Sequence, residues 1–140
     1  MIVVLDTNAL LQIFGSKSPF SPIRRALQNG RLKLAVSTPI LLEYEEVVTR
    51  CSGPGRWQDV WRFLTLIDLL HGNVHRIGPD YRFHTITGDP DDDAFADCAI
   101  AVSADYIITA DRHFDGLAGS GYKPQPITPE EFIRRYPAGC

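Results

Sequence analysis

An α/β domain with a parallel sheet, covered by helices on both faces, is the fold class that this sequence predicts. Three observations carry the prediction. Short aliphatic runs such as "IVVL" and "YIIT" are continuous rather than alternating, as in strands buried on both faces. Stretches with apolar residues at helical spacing separate those runs, the pattern of strand–helix–strand units. The 140 residues, 44% hydrophobic and 22% charged, suit a single globular domain spanning 1–140.

Each element has its own signal. "MIVVLDTN" begins with a β-branched, aliphatic strand that stops at Asp6, and "NALLQIF" reads as a short helix. After the loop "GSKSPFSP", a helix from Ile23 closes on Gly30. "LKLAVST" is a second strand, followed by the helix "PILLEYEEVVTRC" with Pro39 near its first turn. "GPG" breaks the chain before a helix with Trp57, Val60, Trp61 and Leu64 at helical spacing, and "VHRI" is a third strand. Gly78 to Asp92 reads as a loop, Asp93 to Ala104 as a helix, "YIIT" as a strand and "ADRHFDGLA" as a loop or short helix. The segment "QPITPEEFIRRY" is a last helix, with Thr128 as N-cap, Pro129 at the first position and Glu131 three residues after the cap.

Several classes are disfavoured. Cys51, Cys98 and Cys140 form neither a paired framework nor a metal-ligand spacing, so a reducing cytoplasm is the expected home. No basic segment followed by a long apolar run marks a signal peptide, and no apolar run would span a bilayer. The net charge of −3 argues only softly against a nucleic-acid partner, because a carboxylate-rich metal site lowers it without making the remaining surface acidic.

The acids then define a pattern. Asp6 ends the first strand, Asp111 follows "YIIT" by two residues, Glu43 lies in the first turns of the helix after "LAVST", and Asp93 opens its helix. In a parallel sheet all four fall at one end, where ligands of such folds collect. Asp97, four residues after Asp93, shares its face in the otherwise apolar stretch "AFADCAIAVSA". Each acid alone has a plainer reading: Asp6, Asp91 or Asp92 as helix caps, Glu43 as half of a surface ion pair, Asp115 as a loop acid. Surface caps have no reason to gather at the same end of one sheet, and buried carboxylates need a cation. Carboxylates without His or Cys partners favour Mg²⁺ or Mn²⁺ over Zn²⁺, in sites that orient water and neutralise a phosphodiester. Thr7, Asn8 and Thr109 stand beside these acids and are expected to orient them or to contact phosphate. The four histidines, at 71, 75, 84 and 113, read as surface or packing residues, and no glycine-rich phosphate loop or G-x-S-x-G elbow is present. Arg24, Arg25, Arg31 and Lys33 read slightly better as a solvated face than as phosphate contacts.

These residues resemble the PIN-domain nucleases, especially the VapC-like proteins of toxin–antitoxin modules. "VVLDTNAL" is similar to the opening strand and first acid, Asp6, with Thr7 and Asn8 as its companions. "VSTPILLEYEEVV" resembles the second motif, with Glu43 as its acid, and "DPDDDAFADCAIAVSADYIITADRHF" the third and fourth, with Asp93, sixteen residues before Thr109, and Asp111. Asp97 fits an acid one turn later and Asp115 a less regular position; the crowding of aspartates leaves Asp92 as a substitute for Asp93. The resemblance implies a three-layer α/β/α sandwich, Mg²⁺- or Mn²⁺-dependent cleavage of single-stranded RNA, a homodimer and a small antitoxin partner. It implies catalytic roles for Asp6, Glu43, Asp93 and Asp111, with Asp97 joining them at the metal. The rivals are a processing or repair nuclease acting on structured RNA or DNA, and a binding module that does not cut. A phosphatase with Asp6 as nucleophile is more distant, because "DTN" has no second acid two residues on.

Overall fold

The aliphatic runs form the strands of one sheet: β1 (Ile2–Leu5), β2 (Lys33–Ser37), β3 (Val74–Ile77), β4 (Tyr106–Ile108) and β5 (Gln125–Ile127). A computed structural model gives this fold and describes residues 1–15, 17–78 and 90–137, the side chains of 90–93 excepted. The helices are α1 (Thr7–Ile13), α2 (Ser21–Gln28), α3 (Thr38–Ser52), α4 (Pro54–His71), α5 (Pro90–Ala101) and α6 (Pro129–Arg135), with a 3-10 helix at Arg112–Leu117. The strand order is β3-β2-β1-β4-β5, and every pairing is parallel.

Successive strand residues point to opposite faces, so a strand buried without interruption must be covered on both sides. Val3, Val4 and Leu5 of β1 are fully buried, as are Leu34, Ala35 and Val36 of β2. Helices therefore cover both faces of the sheet, and the molecule is a three-layer α/β/α sandwich. Helix α5 packs on β1, β2 and β4 and touches α3, which itself lies against α4 and α1.

The chain winds outward from β1 through β2 to β3, then returns to place β4 on the other side of β1. The crevice beyond the carboxyl ends of β1 and β4 is thus the topological switch point. Register fixes its floor: Val4 pairs with Ile107 and Leu5 with Ile108, so both strands end level, at Asp6 and Thr109.

Two expectations need correction. The segment before Thr128 contains a fifth strand, Gln125–Ile127, where the sequence reads only as the approach to a helix. Pro126 hid it, since proline argues against an interior strand but is tolerated at an edge, where β5 lies. Helix α5 runs from Pro90 to Ala101, earlier at both ends than the expected Asp93–Ala104. It stops because Ser103 takes a left-handed conformation (φ 52°). Ser103 N then donates to Ile100 O (3.1 Å) and Ala104 N to Ala99 O (2.9 Å), a Schellman closure. The expected loop from Gly78 to Asp92 lies mainly outside the described residues.

Candidate active site

Asp6 is where β1 gives way to α1. Its backbone is still extended, and its Oδ1 accepts a hydrogen bond from Ala9 N (2.7 Å), capping the helix. The capping role and the site role fall on one carboxylate, because its other oxygen faces β4. There Oδ2 accepts a hydrogen bond from the Thr109 hydroxyl. Thr109 Oγ1 in turn accepts from Asp111 N (2.9 Å), so a single hydroxyl couples two acids that lie far apart in sequence. Asp111 caps the 3-10 helix through His113 N (2.9 Å), and the His113 Nδ1 lies 2.9 Å from the same carboxylate oxygen.

Asp6 is only 5% exposed. Burial pushes its carboxyl above the ordinary value, the Thr109 and Ala9 hydrogen bonds pull it back, and the charge of Asp111 adds to the rise. The charged side chain acting on Asp6 is therefore a like charge.

Glu43 lies in the second turn of α3, which Ser37 caps from the end of β2 by accepting from Ile40 N (3.4 Å). Glu43 is half-buried, while Glu45 and Glu46 on the same helix are exposed. Beside it, Tyr44 is fully buried and donates its hydroxyl hydrogen to Leu5 O (2.5 Å). Burial first, then the charges of Cys98, Asp6 and Glu43, raise that phenol well above its ordinary value. Both acids thus act on one hydroxyl.

Asp97 is 7% exposed within the buried stretch of α5, as its apolar neighbours predict. Burial, with the adjacent Asp97 charge, pushes the Cys98 thiol up to about 12, so it stays protonated at neutral pH. Asp93 sits one turn earlier on α5; its side chain, like those of Asp91 and Asp92, lies outside the described residues. His84 lies outside them as well.

The supporting residues separate. Thr7 is buried, and its hydroxyl has no hydrogen-bond partner among the described residues. Asn8 is exposed on the first turn of α1. Asp115 is exposed, pairs with Arg112 (3.8 Å), and joins Thr109, Asp111 and Thr128 around a cavity of about 240 Å³ at the ends of β4 and β5.

Asp6, Thr109 and Asp111 are therefore brought into one hydrogen-bonded chain, while Glu43 lies beside Tyr44 on α3. Among the described residues no three His, Cys, Asp or Glu side chains stand close enough to form a ready metal cluster. The donor chemistry nevertheless fits a hard divalent cation: carboxylates under mutual repulsion, and an orphaned buried hydroxyl at Thr7. Two residues escaped sequence reasoning. His113 is exposed, in keeping with its surface reading, but its contact with Asp111 was not foreseen, although the i,i+2 spacing is a turn signal. Tyr44 is not singled out by the sequence, because no local signal reveals its hydrogen bond to Leu5.

A family model for the PIN domain matches residues 2–113, a span that includes Asp6, Glu43, Asp93, Asp97 and Asp111. No curated protein matches the chain. Among solved structures, the crystal structure of VapBC2 from Rickettsia felis, bound to a DNA fragment from their promoter, aligns with a TM-score of 0.56 at 15% identity. The alignment covers 90% of this chain and 98% of the matched one, a likeness of fold. PIN domains are generally nucleases. With the family match running from β1 through the start of the 3-10 helix, the chain belongs to the PIN-domain family.

Proposed function

We propose that the protein is a divalent-metal-dependent endoribonuclease that hydrolyses single-stranded RNA and serves as the toxin of a toxin–antitoxin pair. The observation that carries this reading is the hydrogen-bonded chain from Asp6 through Thr109 to Asp111 at the switch point, with a like charge acting on a buried carboxylate. Such an arrangement is stabilised by a cation. Asp6, Glu43, Asp93 and Asp111 would hold Mg²⁺ or Mn²⁺, with Asp97 as a further ligand or as a partner orienting one. The bound ion would neutralise the scissile phosphate and make water a competent nucleophile near neutral pH.

The chain's own residues supply the geometry. Thr109 orients Asp6 by donating to Oδ2, and Ala9 N holds Oδ1, so the carboxylate cannot swing away. Asp111 is fixed by accepting from His113 N. Thr7, with its unmatched buried hydroxyl, would bind water or a phosphate oxygen. Asn8, exposed at the rim, and Asp115, at the cavity wall, would meet the RNA.

Partners belong to the same proposal. The likeness to a chain of VapBC2 supports a small antitoxin covering the acidic groove. The exposed Trp61, Leu66 and Leu69 on α4 offer an apolar face suited to a second copy in a homodimer. No helix among the described residues is long and apolar enough to cross a membrane, and Cys51 and Cys98 are free thiols, in keeping with a reducing cytoplasm.

The test is RNA cleavage with Mn²⁺, comparing the native chain with Asp6→Asn on a mixed pool of single-stranded RNA. Cleavage by the native chain alone is expected; equal cleavage by both, after contaminants are excluded, contradicts the reading. Preference for structured RNA or for DNA would point instead to a processing or repair nuclease.

A further inference from the structure

The acids of the site sit on different elements, so something must fix the distances between them. Tyr44 occupies the place where such a device would act. It follows Glu43 on α3, and its hydroxyl donates at 2.5 Å to the carbonyl of Leu5, the residue before Asp6. That bond joins positions 39 residues apart and is buried. The Tyr44 ring lies 6.1 Å from the ring of Phe95, which stands between Asp93 and Asp97 on α5. Phe95 in turn meets Phe114 edge-on at 6.4 Å, on the 3-10 helix that Asp111 caps. Three rings thus connect the elements that carry Glu43, Asp97 and Asp111, and the phenol ties the first of them to Asp6.

A phenylalanine would fill the same apolar space without a buried hydroxyl to satisfy. The hydroxyl therefore has a specific job, and its single hydrogen bond in the described structure runs to the end of the strand that bears the first acid. A strand-end carbonyl held this way cannot drift relative to α3, and the Asp6 and Glu43 carboxylates are each one residue from the tie. Outer groups that orient the holders of a cation act on its affinity in this manner.

We propose that Tyr44 is a positioning residue whose hydroxyl, anchored on the Leu5 carbonyl, sets the separation of the Asp6 and Glu43 carboxylates and so the affinity of the site for a divalent cation. The proposal rests on the metal-dependent reading above.

Tyr44→Phe tests it, because the ring packing is kept and only the hydroxyl is lost. Mn²⁺ is titrated calorimetrically into the native chain, Asp6→Asn, Tyr44→Phe and Phe132→Leu, with a thermal melt of each. Phe132 is a buried residue of α6 packed on Tyr106, apart from the acids, and serves as a purely structural control. Tyr44→Phe is expected to melt cooperatively, with a Mn²⁺ dissociation constant raised about tenfold or more. The Mn²⁺ midpoint of RNA cleavage should rise in step, while the rate at saturating Mn²⁺ stays close to native. Phe132→Leu should lower the melting temperature and leave Mn²⁺ affinity unchanged. Native affinity in Tyr44→Phe overturns the role of Tyr44 while leaving the metal reading intact, as does its failure to fold. A loss of affinity in both variants that tracks their loss of stability also overturns it. Absence of Mn²⁺ binding by the native chain overturns the metal reading and, with it, this proposal.

Discussion

Asp6 has two tasks that pull in opposite directions. As a cap it stabilises α1 through Ala9 N, yet as a buried carboxylate beside Asp111 it is held above its ordinary pKa. A carboxyl raised in the folded state contributes stability that is present below the unfolded value, near 3.8, and is lost as pH rises through the folded value. The metal-free protein is therefore predicted to gain stability from Asp6→Asn at pH 7, a gain that disappears below about pH 4. Thermal melts across that range check it. The same variant should lose at least about a hundredfold in Mn²⁺-dependent cleavage, since a direct holder matters at least as much as an outer partner. Thr109→Val keeps the shape but strips Asp6 of a donor and Asp111 N of an acceptor, and should cost about 1–3 kcal/mol in urea denaturation. Asp6 and Asp111 stand out in the sequence because each falls within three residues of the end of an aliphatic strand. Tyr44 was not, because its meaning lies in a carbonyl 39 residues away.

The elements were legible where one physical signal dominated. The continuous apolar runs of β1 and β2, and the Thr128–Pro129–Glu131 start of α6, correspond to the observed strands and helix. Thr128 Oγ1 accepts from Glu131 N (3.1 Å), as the spacing implies. Failures came where tertiary context overrode local preference. Strand β5 is three residues long and contains proline, and its identity depends on pairing with β4. The end of α5 depends on a serine adopting a conformation that glycine favours. Ser103→Gly should therefore stabilise the protein by up to about 1 kcal/mol, the left-handed penalty less the added chain entropy of glycine. Chemical denaturation with an unchanged m-value would verify this, and a loss of stability would show that the serine side chain serves the closure.

Across the whole molecule, the two ends of the sheet treat polar groups differently. At the amino end most are matched, although the buried Asn73 Oδ1 has no partner among the described residues. Asp105 accepts from Ile2 N (2.9 Å) and pairs with Lys123 (3.3 Å), and Asn73 Nδ2 donates to both Leu27 O and Leu32 O. His71 packs so closely on Gly30 that a Cβ there would come within 2.8 Å of its ring. Gly30 also has φ +75°, so Gly30→Ala should lower stability by at least about 1–2 kcal/mol while leaving Mn²⁺ affinity unchanged. At the carboxyl end the buried Thr7 hydroxyl also lacks a partner among the described residues, and there, unlike at the amino end, a buried carboxylate feels a like charge.

Anomalous diffraction from crystals grown with Mn²⁺ locates the proposed cation directly. A peak beyond the carboxyl ends of β1 and β4, within ligand distance of the Asp6 carboxylate, is the result expected. A well-ordered site with no peak there, or a peak confined to acids elsewhere on the surface, would contradict a metal-dependent centre at the switch point.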